Sequence, residues 1–499
     1  MSPDDSTVNK ELSAVWTHSR VYTLAAVLHR AAGFILIPVY AHVLPAAEFG
    51  AYAMIVMLSD IIAVAFGTGI STGMLRVYFD YDTSEDRNRV VSTAFIALGV
   101  AGLGITVLLQ PLAVISSHAL FGSNEYGGLF SLAYAGVVFA LLGDLGLHYF
   151  RMQEKSWIVL YASCAKVILF LTLNILFVVV LGMGVRGILL GTLISSTVLA
   201  AALLLTIVPR IGLSFSPAVL RSLLSFGLPL LPAVMADTVM DMTDKYFLNR
   251  LGSAASVGAY SLGNRVAALL HLFMSMPFAT IWVVRRFERT RAASDHVDTA
   301  PIFTYFVIAI TTAGLATAVM APEIVHLVAS AEYAAAAFVV PLLVVSYIVV
   351  ALRMQLQLRI YQAKQTGLVA ANAFVALAAN IPLTYVLVGH FGLTGAAMAM
   401  VITNLLRAGG IAWLGKRYCE LPLGFEWRRV SGVIGLAAIT YLGVVLAVGV
   451  TVSVAAMAAK IAAVGLFLGL LVFARIVSPE ERKTFAVLIR ACLPPGLAR

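Results

Sequence analysis

Three aspartates and a lysine lie close together within one long apolar stretch, at Asp237, Asp241, Asp244 and Lys245. The aspartates are spaced i, i+4 and i+7, which places them on one face if the stretch is a helix. Ionisable groups at bilayer depth cost roughly 2.5 to 3.5 kcal/mol each, so they survive only where they face a partner, a bundle interior or water. The spacing therefore predicts a helix that forms one wall of a polar cavity inside a membrane.

Cations also lie inside apolar stretches, at Arg30, Lys166 and Arg265 as well as at Lys245. A cavity that accepts a pyrophosphate needs cations, because a multiply charged anion cannot be desolvated unpaired, and the planar Arg fork suits phosphate oxygens. Arg30 and Arg265 are the first candidates for this binding, with Lys166 and Lys245 as further cavity cations.

Pairing between helices is the alternative for these charges. Arg30 would then pair with Asp60, and Lys245 with Asp241 or Asp244, and the pairs would act only as structural locks. The sequence leaves both interpretations open. Asp60 is counted with the three aspartates as a cavity acid.

Asp237 lies nearest the predicted middle of the membrane, and three roles stand open for it. In the first role, Asp237 titrates and couples transport to the proton gradient. In the second it contacts sugar hydroxyls in a wet cavity, and in the third it neutralises neighbouring cations. Asp144, Arg353 and Arg407 lie near predicted cytoplasmic helix ends, where long cations snorkel to the interface. These three residues are candidates for an inner gate.

Composition decides the class of protein that positions these residues. The chain has 499 residues, of which 61% are hydrophobic and 11% charged, whereas soluble domains are about 25% charged. It is therefore predicted to be an all-α polytopic membrane protein. The net charge of +9 comes from short basic clusters between apolar runs, as the positive-inside rule expects, so no nucleic-acid partner is implied.

Motifs for catalysis do not occur in this sequence. It contains no Gly-x-Ser-x-Gly elbow, no phosphate-binding Gly-Lys-Ser/Thr loop and no His-Glu-x-x-His. Its three cysteines fit neither a disulfide framework nor a metal site. We therefore expect no enzyme activity, no catalytic residue, no cofactor and no metal.

Apolar runs of about 20 residues, the length that crosses a ~30 Å hydrocarbon core, predict the transmembrane helices. Placing both termini in the cytoplasm leaves two of the 33 Lys and Arg outside, 24 inside and the other seven within spans. The predicted membrane is the cell inner membrane. The predicted spans are fourteen: 21–43, 50–74, 90–111, 128–149, 157–180, 187–208, 223–249, 257–283, 302–322, 334–357, 368–389, 393–415, 431–452 and 454–475.

Short motifs recur at an offset of 208 or 209 residues. Because that offset covers six spans, an even number, the two copies have the same orientation in the membrane. The repeat predicts an N-terminal lobe at 1–210, a C-terminal lobe at 211–420, and two further helices with a cytoplasmic tail at 421–499. The recurring residues are Gly50-Ala51-Tyr52 with Gly258-Ala259-Tyr260, Gln153 and Lys155 with Gln362 and Lys364, Gly184 and Gly187 with Gly392 and Gly395, and Asn174 with Asn380.

Two of these segments carry a family resemblance. Leu44–Tyr52 (LPAAEFGAY) resembles the first outer turn of the Wzx-type polysaccharide-biosynthesis flippases of the multidrug/oligosaccharidyl-lipid/polysaccharide (MOP) exporter superfamily. Asp244–Leu248 (DKYFL) followed by Val257–Ser261 (VGAYS) is similar to the seventh-helix motif of that family. The Gly-x-x-Gly turns after spans 5 and 11 match as well, and the resemblance runs from about Ser19 to Lys416.

The resemblance implies two six-helix lobes around a central cavity and alternating access. It implies a cargo of undecaprenyl-pyrophosphate-linked oligosaccharide, a repeat unit of a surface polysaccharide such as the O-antigen of lipopolysaccharide. The expected partners are this cargo, membrane lipids, protons or sodium ions, and polysaccharide polymerase or export proteins. Three alternatives remain open: a cation-coupled multidrug antiporter, a lipid II flippase and, from another class, a polysaccharide polymerase.

Overall fold

The computed structural model describes residues 33–279, 282, 300–419, 426–449 and 451–473. Fifteen α-helices lie wholly within these residues, and no described residue is in a β-strand. The helices are α1 Ile37–Val43, α2 Ala46–Val77, α3 Ser84–Phe121, α4 Gly127–Met152, α5 Ser156–Asn174, α6 Gly184–Ile211, α7 Pro217–Gly227, α8 Leu231–Leu251, α9 Ala254–Leu270, α10 Ala300–Val319, α11 Ala321–Val328, α12 Ala336–Gln362, α13 Thr366–Tyr418, α14 Trp427–Val448 and α15 Val454–Phe473.

Short irregular helices interrupt this pattern. Leu228–Leu230, between α7 and α8, and Ala331–Tyr333, before α12, are 3₁₀ turns. Wider π-helical turns follow α5 at Ile175–Val180 and α9 at His271–Ser275. Such turns are rare and occur often at functional sites.

Ten helices in the described part of the chain are long and apolar enough to cross a bilayer. This confirms the prediction of an all-helical, multi-pass membrane protein. Predicted span 1 begins among residues 1–32, outside the described residues, so the total of fourteen spans stays a prediction.

Helix α13 shows how glycine divides a long apolar run. Its 53 residues would extend ~80 Å at 1.5 Å per residue, far more than one bilayer crossing needs. The backbone leaves helical geometry at Gly392, with φ 54° and ψ −125°, in the left-handed region that glycine tolerates. The break lies where the sequence separates predicted spans 11 and 12.

The structure divides into two compact units. Among the described residues, unit 1 comprises those within 33–262, 328–333 and 373–399, and unit 2 comprises those within 263–327, 334–372 and 400–473. The lobe boundaries drawn from the repeat at 1–210, 211–420 and 421–499 remain a prediction.

Helix α2 is the central packing element of unit 1, because its two ends lie backbone to backbone against other helices. A Cβ at Gly50 would lie 1.8 Å from the Ala254 carbonyl oxygen, and one at Gly258 would lie 2.1 Å from the Ala46 carbonyl oxygen. At its other end, a Cβ on Gly227 of α7 would lie 2.0 Å from the Gly69 carbonyl oxygen. Small residues allow membrane helices to approach this closely.

The Gly50 and Gly258 contact joins the two copies of the repeated Gly-Ala-Tyr motif. Each glycine leaves the space that the other helix backbone occupies. The sequence repeat therefore has a physical role at this crossing, where the start of α2 meets the start of α9.

The 3₁₀ turn before α12 closes the start of α2 within unit 1. The Glu332 carboxylate accepts a hydrogen bond from the Ala46 N–H at 2.9 Å, and the Tyr333 hydroxyl donates to the Leu44 carbonyl at 3.1 Å. Burial, followed by the neighbouring Glu332 and Glu48 carboxylates, raises the pKa of Tyr333 above its ordinary value. The phenol therefore keeps the proton that it donates.

The Gln-x-Lys repeat is one residue out of structural register. The turns after α4 and α12 share one geometry, with φ 58° at Glu154 and φ 57° at Lys364, which is uncommon for residues other than glycine. Lys155 N–H donates to the Phe150 carbonyl, and Gln365 N–H donates to the Ile360 carbonyl. Glu154 thus corresponds to Lys364, whereas the sequence match aligned Lys155 with Lys364.

Unit 2 holds its last two helices by an apolar seam and a buried ion pair. Ile308, Leu315 and Val319 of α10 pack in one cluster with residues of α14 and α15. Lys460 of α15, 1% exposed, donates to the Glu323 carboxylate of α11 at 2.6 Å. Removing either partner of such a buried ion pair strongly destabilises the protein, because the other charge is left buried and unpaired.

We expect Gly50→Ala to destabilise the protein by about 1 to 3 kcal/mol, because the added methyl group meets the α9 backbone and overpacks the crossing. Thermal unfolding of the detergent-purified chain measures the effect.

Gly99→Ala in α3 is the matched control, since a Cβ there meets nothing within 4 Å. It should be neutral or stabilising by up to about 1 kcal/mol, because alanine is the better helix former. Equal unfolding temperatures for the two variants would contradict the close crossing.

Candidate functional site

Asp244 of α8 is a buried carboxylate in unit 1, and its side chain is 4% exposed. The Tyr260 hydroxyl of α9, itself buried, donates a hydrogen bond of 2.6 Å to Asp244 Oδ2. The two residues belong to the two halves of the family motif read from the sequence. This hydrogen bond therefore joins α8 to α9 across the loop between them.

Other polar groups surround Asp244. Thr384 of α13 is fully buried beside it, and the charges of Asp241 and Lys245 both act on its carboxyl group. Neither Asp244 Oδ1 nor Thr384 Oγ1 has a well-formed hydrogen bond, which is costly for buried polar atoms. A buried carboxyl group with one spare oxygen is a place where a proton or a polar ligand group can be held.

Aromatic side chains join α8 to α13 near Asp244. Phe247 lies one turn after Asp244 and meets Tyr385 of α13 edge to face, with ring centroids 5.6 Å apart. Tyr246 packs on Phe247 at 5.3 Å. The aromatic cluster and the Tyr260 hydrogen bond attach α8 to α9 and α13 within unit 1.

The aspartates of the predicted stripe lie in different environments. Asp237 and Asp241 are exposed, whereas Asp244 is buried. Asp60 of α2 is exposed as well, and α2 packs along α8. Asp60, Asp237 and Asp241 therefore lie on the surface of unit 1 rather than in its packed interior.

The structure brings Lys166 of α5 close to Asp144 of α4, although the sequence assigned them to different roles. The Asp144 carboxylate acts electrostatically on both Lys166 and His148. Lys166 is half-buried and Asp144 is exposed. The predicted cavity cation and the predicted gate acid are therefore neighbours within unit 1.

Of the remaining predicted residues, Lys245 lies in unit 1, and Arg265, Arg353 and Arg407 lie in unit 2. Arg265 of α9 is half-buried beside Asn264, which accepts a hydrogen bond from the Tyr347 hydroxyl at 3.0 Å. Arg353 of α12 is half-buried, and Arg407 of α13 is buried. Arg30 lies outside the described residues. Lys245 is half-buried next to Asp244.

Sequence reasoning missed two groups that the structure makes prominent. Tyr260 was read only as part of a motif, although its hydroxyl is the main partner of Asp244. Lys460 lies within predicted span 14, and Glu323 directly follows predicted span 9. Sequence reasoning did not pair these two residues. The available signal was the rule that a charge inside a membrane helix requires a counter-charge.

Among the described residues, no group of three or more His, Cys, Asp and Glu side chains could hold a metal ion.

The fold is similar to that of several solved membrane proteins. It superposes on a lipid II flippase, MurJ, in an inward closed conformation, with a TM-score of 0.76 and 13% identity, covering 91% of this chain and 98% of that one. An inward-facing multidrug resistance MATE family transporter of the MOP superfamily gives a TM-score of 0.62 at 18% identity, over 81% of this chain and 94% of that one. A Vibrio cholerae MATE transporter, VcmN, gives 0.54 at 16% identity, over 85% and 99%.

Sequence comparison gives partial matches to polysaccharide-biosynthesis proteins. Residues 39–283, just under half of the chain, match a family model described as polysaccharide biosynthesis protein. Succinoglycan biosynthesis transport protein ExoT of Rhizobium meliloti (strain 1021) is 24% identical over 246 residues, which are 47% of this chain and 46% of that protein. The chain thus matches about half the length of this curated relative. These matches support the resemblance to polysaccharide-biosynthesis flippases that was read from the sequence.

Tyr260→Phe should destabilise the protein by about 1 to 3 kcal/mol, because it leaves the buried Asp244 carboxyl group without its donor. Unfolding of the purified chain measures this loss. Combined with Asp244→Asn in a double-mutant cycle, it should show a coupling energy of about 0.5 to 3 kcal/mol.

Tyr246→Phe is the control, because it removes the same hydroxyl group from a tyrosine of α8 that is 41% exposed. We expect its effect to stay within about 0.5 kcal/mol. Additive effects of the Tyr260 and Asp244 substitutions would show that the hydrogen bond does not hold α8 to α9.

Proposed function

We propose that the protein is a flippase that moves an undecaprenyl-pyrophosphate-linked oligosaccharide, a surface polysaccharide repeat unit, across the inner membrane by alternating access. The observation that carries this proposal is the polysaccharide biosynthesis family match over residues 39–283. The matched range contains both the buried Asp244 site and the exposed acids of unit 1. The relatives are described as transporters and flippases, not as catalysts.

The finer architecture belongs to the same proposal. It comprises fourteen transmembrane helices, two parallel-repeat lobes of six, two C-terminal helices and cytoplasmic termini. The repeated turn geometry after α4 and α12 and the nearly equal φ angles of Gly184 and Gly392, 56° and 54°, support the duplication.

The charged residues have distinct roles in this mechanism. Arg30 and Arg265 bind the pyrophosphate, because bidentate guanidinium contacts suit phosphate oxygens, and Lys245 adds positive charge beside Asp244. Asp237, Asp241 and Asp60 are exposed carboxylates that contact sugar hydroxyls or bind the coupling proton or sodium ion. Arg353 and Arg407 with Asp144 serve the inner gate. Membrane lipids and the polymerase or export proteins are the further partners.

A lipid II flippase is the second candidate. The fold likeness to MurJ, at a TM-score of 0.76 over 91% of the chain, is closer than the likeness to the MATE transporter at 0.62 over 81%. Both cargoes would present a polyprenyl pyrophosphate to the same cations. A cation-coupled multidrug antiporter is favoured less, because it would rely on the acids alone.

In a strain lacking the protein, we expect lipid-linked repeat units to accumulate on the inner leaflet. Arg265→Ala should restore flipping at least tenfold less well than the native chain, since a lost charge-assisted phosphate contact costs about 1.5 to 3 kcal/mol. Arg30→Ala should behave in the same way. Leaflet-selective labelling of the repeat units measures the rescue.

Arg186→Ala is the control, because Arg186 is an exposed arginine near the predicted outer turn. Full rescue by Arg265→Ala at normal abundance would argue against pyrophosphate binding by Arg265. Rescue of a lipid II flippase deficiency by the native chain, without any change in polysaccharide repeat units, would favour the second candidate.

Asp237→Asn should abolish flipping while leaving the abundance of the protein intact, if Asp237 couples transport to a proton gradient. Uptake of the proton is lost because an amide cannot titrate. Flipping in inverted vesicles, with and without a protonophore, measures the coupling. Asp82→Asn, the same change at an exposed loop aspartate, should have no effect, and wild-type activity in Asp237→Asn would dispose of the coupling role.

A further inference from the structure

A groove in unit 1 lies among α4, α5 and α6, apart from the Asp244 site. Its volume is about 480 Å³, which is within the range of ~300 to 1,000 Å³ typical of ligand sites. Its wall is predominantly apolar and includes Phe150, Ile158, Leu169 and Leu203. The groove thus has the size and the lining of a site for a hydrocarbon chain.

Two cations border this apolar wall. Arg210 lies in the last turn of α6 and is exposed, and Lys166 lies on the facing side in α5. The lining of α6 runs from Ser195 to Arg210, or ~22 Å along the helix axis. One leaflet contributes ~15 Å of hydrocarbon, so the groove spans the depth of a single leaflet and ends at an arginine.

Lys166 lines the middle of the groove, about level with Leu199, because Asn174 later in α5 packs against Gly191 of α6, but its side chain leans towards the Arg210 end. Helical side chains lean towards the N-terminus of their helix, and α5 begins at the end where α6 finishes. Long lysine side chains also reach from the hydrocarbon towards the interface. Asp144 neutralises part of the Lys166 charge, which leaves Arg210 as the principal anion-binding group.

The neighbouring face of α5 presents large apolar side chains outwards. Trp157, Tyr161 and Ile168 are 53%, 67% and 64% exposed, and the rings of Trp157 and Tyr161 stack at 5.9 Å. Stacked Trp and Tyr rings are typical of the headgroup level of a bilayer. The groove therefore opens beside a surface that faces lipid.

We propose that this groove is a binding site for one anionic phospholipid. Arg210, assisted by Lys166, binds the phosphate of the headgroup, and an acyl chain lies along the apolar wall of α5 and α6. The positive charge at one end and the single-leaflet length match a phospholipid of the leaflet at the Arg210 end, which is the predicted cytoplasmic leaflet.

Native mass spectrometry of the delipidated full chain tests the proposal, with phosphatidylglycerol and phosphatidylethanolamine as probes. Phosphatidylglycerol should bind at least tenfold more tightly, and Arg210→Ala should weaken its binding about tenfold and remove most of its advantage over phosphatidylethanolamine. Arg221→Ala, at an exposed arginine of α7 that does not line the groove, is the matched control. Equal binding of both lipids, or no effect of Arg210→Ala, would overturn the proposal.

Brominated phosphatidylglycerol locates the bound lipid in the native groove. It should quench tryptophan fluorescence in the native chain, and Trp157→Phe should remove most of that quenching, because Trp157 adjoins the groove residue Ile158. This measurement needs no substitution in the groove wall. Unchanged quenching in Trp157→Phe would place the lipid elsewhere, and displacement of the bound lipid by equimolar undecaprenyl phosphate would assign the groove to a polyprenyl carrier instead.

Discussion

The close crossing of α2 with α9 is the contact on which the rest of unit 1 depends. It brings two backbones together at Gly50 and Gly258, where neither helix has space for a methyl group. Two residues after Gly258, the Tyr260 side chain reaches α8 and donates to Asp244. The close approach thus sets the position from which a buried acid obtains its donor. At the other end of α2, the Gly69 and Gly227 contact aligns the chain just before α8 begins.

Burial divides the charged residues of these membrane helices into two kinds. Asp244 in unit 1, and Lys460 with Glu323 in unit 2, are buried and have short, direct partners. Asp60, Asp237 and Asp241 are exposed. Buried charges with partners stabilise a particular arrangement of helices, because removing one partner strands the other. The exposed carboxylates lie on the surface of unit 1, outside its packed interior.

Most of the secondary structure could be predicted, because hydrophobic length and glycine or proline punctuation are local properties. The break in α13 at Gly392 coincides with the predicted outer turn between spans 11 and 12. The turn after α4 coincides with the gap between predicted spans 4 and 5. Register was less accessible. The Gln-x-Lys match was displaced by one residue, since two turns of one shape at Glu154 and Lys364 tolerate different side chains. Of the residues at this buried carboxyl group, Asp244 was singled out from the sequence, Tyr260 was read only as part of a motif, and Thr384 was not considered.

The sequence by itself determined the class of protein, the approximate spans and the polar residues that lie within them, because a bilayer imposes its thickness and its cost for charge on every segment separately. Only the tertiary structure decided which of three evenly spaced aspartates is buried, which glycine faces which, and which acid Lys460 meets. Those outcomes depend on contacts between residues far apart in the chain. Helical periodicity places Asp237, Asp241 and Asp244 on one face, but only the neighbours that pack against that face distinguish them.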